Sequence, residues 1–150
     1  MAPPLPHAKY FEGTLQLRDT TEEVHQYVYD ITRADDKAII SNEKRVRGGM
    51  DLFFSSMHYL QALGKKLKQK FPGELKITKK LFSQSRETSK VLYRVTVLFR
   101  QLPFKIGEVL DVDGEPIKIL YIGNRARTQN TRTGVKKEYK FDDLRRYVRD

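Results

Sequence analysis

The chain is 150 residues long, 39% hydrophobic and 11% aromatic, with a net charge of +10 and a pI near 9.8. That length suits one domain or two small ones, and the apolar content is too high for a disordered chain. The chain has no cysteine, which excludes disulfides, thiolate nucleophiles and cysteine-ligated zinc, and no apolar run reaches the length of a membrane span.

The opening "MAPPLPHAKY" has no apolar core of the signal-peptide kind. Residues 1–8 read as a flexible, proline-rich lead-in. Lys9–Arg18 then predicts a strand, with Phe11, Leu15 and Leu17 on one face and Thr14, Gln16 and Arg18 on the other. Asp19 to Thr21 offer N-cap oxygens, and Glu22 and Glu23 suit a first helical turn. Val24, Tyr27, Val28 and Ile31 recur at helical spacing behind them.

Lys37–Arg47 and Gly49–Ser56 predict two strands joined at Gly48–Gly49, with Leu52, Phe53 and Phe54 buried in the second. Ser55 or Ser56 is placed to cap a helix whose apolar face is Met57, Leu60, Leu63, Gly64, Leu67 and Phe71. Lys65, Lys66, Lys68 and Lys70 fall largely on its other face, and Pro72–Gly73 stop it. "ELKITKKLFSQS" and "KVLYRVTVLFRQ" predict two long strands around an "RETS" turn. The order β-α-β-β-α-β-β suggests an α+β sandwich of ferredoxin-like character over residues 9–102.

The texture changes at "LPFKIGE". Short strand-like pieces follow, "EVLDV", "PIKILYI", "RARTQN" and "VKKEYKF", joined by "DGE", "GN" and "TRTG". They predict a small SH3-like barrel over residues 103–150, closed by a helical turn at "DDLRRYV".

Charge is spread unevenly: residues 1–36 carry −4, residues 37–100 carry +11 and residues 101–150 carry +3. A basic block of that kind is the footprint of a polyanion partner, the alternative being a solvated basic surface. Its members are Lys44, Arg45 and Arg47 before the double glycine, the four helix lysines, Lys79 and Lys80 in a strand, and Arg125, Arg127, Arg132, Lys136 and Lys137 around the later turns. Tyr59 and Tyr93 are the aromatics that could stack on bases, and both also suit a core edge. Contact through phosphates and shape is therefore expected ahead of sequence readout. His7, His25 and His58 have no metal-ligand spacing, and Asp51 reads as a turn acid bonded to backbone N–H groups. No Walker loop and no dinucleotide fingerprint is present, so a catalytic role, a cofactor and a metal are not expected.

"YFEGTLQLR", "GGMDLFFSSMHYLQAL" and "KITKKLFSQSRETSKVLYRVTVLFR" together resemble the ribosomal large-subunit export adaptor family named for nonsense-mediated decay, its archaeal members above all. The most specific parts are the "G-x-D-x-F-F" core and the paired strands at Lys80–Val97. The resemblance implies a non-enzymatic protein that binds the large ribosomal subunit late in assembly and occupies tRNA sites. It implies large-subunit rRNA and the proteins of the mobile stalk near the tRNA exit site as partners, with a cytoplasmic, monomeric protein and no membrane. "GEPIKILYI" and "NTRTGVKKEY" resemble the SH3-like half of the hypusine-bearing translation factor.

Two departures accompany the resemblance. The N-terminal cysteine-pair zinc module and the long signal-bearing tail of the family are not seen in this sequence. Gly123–Asn124 stand where the translation factor carries its hypusine loop, so no modified lysine is expected. Two other classes stay open on the residues alone: a generic RNA-binding module or stable ribosomal component, and a protein–protein adaptor working through its acidic first helix.

Overall fold

The computed structural model describes residues 2, 4–84 and 91–148, so the expected "RETS" turn lies outside the described residues. Two compact units emerge, one of residues 1–71 and 75–101, the other of residues 72–74 and 102–150. Both α-helix and β-sheet are present, the strands forming two separate sheets.

In the first unit the elements run β1 (Gly13–Arg18), α1 (Glu22–Asp35), β2 (Ile40–Val46), β3 (Gly49–Phe54), α2 (Met57–Lys70), β4 (Gly73–Gln84) and β5 (Val91–Gln101). The order read from the sequence is the order found. The sheet is β2-β3-β1-β5-β4. β1 pairs antiparallel with β3 and parallel with β5, so Leu15 lies between Leu52 and Val97. One face is apolar: Leu15, Leu17, Leu52, Phe54, Val95, Val97 and Phe99 bury against Val24 and Val28 of α1 and Leu60, Leu63 and Leu67 of α2. Alternation along each strand makes that face, and the 3.6-residue period of the helices supplies its cover.

Two glycines carry specific demands. A Cβ on Gly49 would lie 1.8 Å from the Leu17 carbonyl oxygen, so β1 and β3 reach this pairing only without a side chain there. Gly64 is mid-helix, where glycine costs about 1 kcal/mol relative to alanine. A Cβ at Gly64 would sit 2.8 Å from Val97 Cγ1, and its absence lets α2 lie close on β5.

Several expectations need correction. β1 starts at Gly13 and not at Lys9, because a turn closed by Tyr10 N–H on the His7 carbonyl precedes it. Phe11 therefore leaves the face of Leu15 and Leu17 and sets its ring edge-on to Phe53, centroids 4.9 Å apart. Phe53 itself is half-buried, since its neighbours Leu52 and Phe54 take the helix-covered face. Thr21 stands at the N-cap of α1 without a side-chain cap bond. Ser56 does cap α2, accepting from Tyr59 N–H at 3.2 Å, while Ser55 Oγ accepts from Ile39 N–H. Asp51 is no turn acid: it sits within β3 and pairs with Arg18 at 2.8 Å.

The second unit contains β6 (Val109–Val112), β7 (Glu115–Ile122), β8 (Ala126–Asn130), β9 (Lys136–Tyr139) and α3 (Phe141–Arg145). The strands form an antiparallel meander in chain order. Ile117, Ile119, Ile122, Ala126, Phe141 and Leu144 are among its buried core. The β7–β8 connection is one residue longer than expected. Ile122 pairs with Ala126, so Arg125 belongs to the turn, its carbonyl accepting from Gly123 N–H.

Candidate nucleic-acid interface

The four lysines of α2 are all exposed, because Leu60, Leu63, Gly64 and Leu67 take the buried stripe. At 100° per residue Lys65 lies about 150° and Lys68 about 90° from the centre of that stripe, both on the side away from Lys66 and Lys70. Among the described residues neither has a carboxylate partner. The other two lean towards α1. Lys66 Nζ lies 3.5 Å from Asp35 Oδ2, and Lys70 Nζ stands 5.0 Å from the Tyr27 ring centroid.

A short polar link ties the two helices beneath these lysines. Tyr59 Oη donates to Asp35 Oδ2 at 2.6 Å and also lies 3.2 Å from the Ile31 carbonyl. The Tyr59 hydrogen bond, and after it the charge of Lys66, holds the Asp35 carboxyl below its ordinary value, while burial and the same carboxylate push the Tyr59 phenol up. A carboxyl depressed in the fold stabilises fully above its unfolded value of 3.8 and loses that contribution as pH falls through the folded one. Tyr59→Phe is therefore expected to raise the Asp35 pKa, read by carboxyl NMR, and to flatten the acid limb of stability. An unmoved Asp35 titration would refute the link. Tyr59 is thus committed to this bond and is not a free stacking platform.

Lys44, Arg45 and Arg47 are exposed at the edge of the first sheet. They do not form one row. Lys44 pairs with Asp51 on the open face, Arg45 with Met50 on the helix side, and Arg47 lies in the turn. On β4, Lys79 and Lys80 are both exposed, and Lys79 Nζ stands 4.5 Å from the ring centroid of Tyr93, itself exposed.

In the second unit the candidates divide similarly. Arg132 is held in a two-pronged contact with Glu115, Nε to Oε2 at 3.1 Å. The Arg132 bond and one from Asn130 keep the Glu115 carboxyl low. Arg127 Nε lies 3.3 Å from Glu138 Oε1, and Lys137 Nζ stands 4.8 Å from the Tyr139 centroid. Arg125 and Lys136 are exposed without a carboxylate partner among the described residues.

Three arginines are not singled out by the sequence reading: Arg18, Arg94 and Arg100 lie on the first sheet's uncovered face. The signal is present, since Arg94, Thr96, Leu98 and Arg100 alternate with Val95, Val97 and Phe99. Arg94 is stacked between Phe11 and Phe82, 3.9 and 3.6 Å from their ring centroids. Arg18 is tied to Asp51, and Arg100 Nη1 lies 3.6 Å from Asp19. Arg18 and Arg94 are engaged within the sheet surface and Arg100 is partly exposed beside Asp19, whereas Lys65 and Lys68 are presented outward with no carboxylate partner among the described residues.

Among the described residues no group of three or more His, Asp or Glu side chains could hold a metal ion, and no helix is long and apolar enough to cross a membrane. A family model described as the second domain of NMD3 matches residues 10–100. No curated protein matches the chain.

Proposed function

The chain belongs to the NMD3 family, and on that premise we propose that it binds the large ribosomal subunit during assembly or export, as an adaptor without catalysis. The observation that carries the mode of binding is the α2 face, where four exposed lysines stand together and two of them have no carboxylate partner among the described residues. Cations presented in that way neutralise rRNA phosphates and release counterions, so affinity falls steeply as salt rises. Lys79, Lys80, Arg45 and Arg47 extend the same chemistry at other points of the first unit.

The finer reading is an archaeal-type member. Its first unit is a ferredoxin-like sandwich, with the domain boundary at residues 102–103. Its second is an SH3-like barrel beside the tRNA exit site and the mobile stalk. What supports this is the sequence resemblance of "GEPIKILYI" and "NTRTGVKKEY", together with the short turn at Gly123–Arg125. A turn of that length cannot project a modified side chain far, and the unit would act by filling space. A monomeric, cytoplasmic protein fits the same reading.

Co-sedimentation tests it. The protein is expected to pellet with free large subunits, not with assembled ribosomes, and deacylated exit-site tRNA is expected to compete. Stable retention in translating ribosomes would instead mark a ribosomal component, and simultaneous binding with exit-site tRNA would remove the space-filling role.

A further inference from the structure

The outward face of the second sheet carries an exposed aromatic, whereas Tyr59 of the first unit's basic helix is tied to Asp35. Tyr121 of β7 is 55% exposed. Register places it directly across from Arg127 of β8, which pairs in turn with Glu138 of β9, so the three side chains form one row over three strands. The next row on the same face is Lys118, Gln129 and Lys136. Arg127 Cζ stands 5.8 Å from the Tyr121 centroid. Tyr121, Arg127, Lys136 and Glu138 help line an open groove of about 430 Å³.

We propose that this groove binds one unpaired nucleotide of single-stranded RNA, its base stacked on Tyr121 and its flanking phosphates on Arg127 and Lys136. An exposed ring on a sheet, flanked by cations, accepts any base through its π-face. The Glu138 carboxylate does not block the site. Its pair with Arg127 is more than half exposed on both sides, and such a pair contributes little and exchanges readily. Lys118 and Lys136 leave the face positive. Gln129, between them, donates its Nε2 to the Gly134 carbonyl at 3.2 Å, which leaves its amide oxygen to accept from a ribose hydroxyl or a base edge. A duplex cannot use the ring, because its bases are already stacked within the helix. The inference stands on the second unit's own geometry, beyond the span of the family match, and it deepens the ribosomal reading without depending on the α2 lysines.

The test uses the full chain and fluorescein-labelled oligouridine of about ten nucleotides, within the usual length of such sites. Anisotropy at low salt is expected to show Tyr121→Ala weakening binding roughly tenfold and Tyr121→Phe leaving it near wild type. Arg127→Gln is expected to lower the slope of log affinity against log salt by about 0.7. Ultraviolet crosslinking should place uridine on the Tyr121 peptide. Binding kept by a variant with Lys65, Lys66, Lys68 and Lys70 changed to glutamate supports the inference, and failure of that variant to co-sediment with large subunits bears on the ribosomal reading alone. The inference is overturned if Tyr121→Ala binds as wild type with an unchanged melting temperature. It is also overturned if an RNA duplex displaces oligouridine with equal affinity.

Discussion

Reversal of Lys65, Lys66, Lys68 and Lys70 to glutamate is expected to abolish co-sedimentation with free large subunits while the protein stays folded. Each substitution moves the charge by two units, so four of them take the net charge from +10 to +2. The change falls on one exposed helical face. Counterion release makes such binding steep in charge: each phosphate that the protein no longer neutralises lowers the salt slope by about 0.9, and a few phosphates carry orders of magnitude in affinity at physiological salt. Lysine and glutamate have similar helix propensities, so α2 survives. Two glutamates in its last turn oppose the helix dipole by about 0.3–1 kcal/mol each, a modest cost. The four positions are not equal. Lys66 is engaged with Asp35 and Lys70 with the Tyr27 ring, whereas Lys65 and Lys68 face outward. Reversing Lys65 and Lys68 alone should account for most of the loss. A quadruple variant that sediments like wild type in moderate salt, with native circular dichroism, would show that another surface holds the subunit.

Much of the first unit is readable from periodicity. The α2 stripe works because Leu60, Leu63, Gly64 and Leu67 recur at helical steps, and Ser56 then Pro72 mark its ends. The strand pairings are not legible in that way. That β1 lies between β3 and β5, antiparallel to one and parallel to the other, depends on residues far apart in sequence. Phe11 departs from its expected face for a related reason: local alternation predicts that face, but a turn at His7–Tyr10 breaks the register before Gly13. The basic residues are legible one by one and illegible as a site. Whether a lysine or arginine is outward or tied to a carboxylate follows from tertiary neighbours such as Asp35, Glu115 and Glu138. Tyr121 does not stand out as an exposed aromatic because simple alternation along "PIKILYI" sets it on the face of the buried Ile117 and Ile119. A register shift between Ile119 and Tyr121 turns the tyrosine outward beside Arg127.

Phe54→Ala is expected to be among the most damaging single truncations in the first unit, and Phe53→Ala, one residue away, much milder. Phe54 is fully buried on the helix-covered face of β3, with the Tyr59 ring stacked 6.4 Å away. Removing a buried phenylalanine costs about 3–5 kcal/mol, the sum of lost transfer energy and the cavity left in a packed core. Phe53 points to the other face, where it is half-buried and meets Phe11 edge-on. An edge-to-face aromatic pair is worth about 0.5–1.5 kcal/mol beyond its area, and only part of the ring is withdrawn from water. Phe53→Ala should therefore cost about 1–2 kcal/mol. For a chain of this length each kcal/mol lowers the melting temperature by about 2–4 °C, so the two variants should differ by several degrees. Equal losses in thermal unfolding would mean that the open face of the sheet is as tightly packed as the helix side. Partial loss of large-subunit binding by Phe53→Ala, at near-native stability, would place Phe53 within the binding surface itself. Phe54→Ala offers no such separation, because a defect in the core beneath α2 disturbs the helix that presents the lysines.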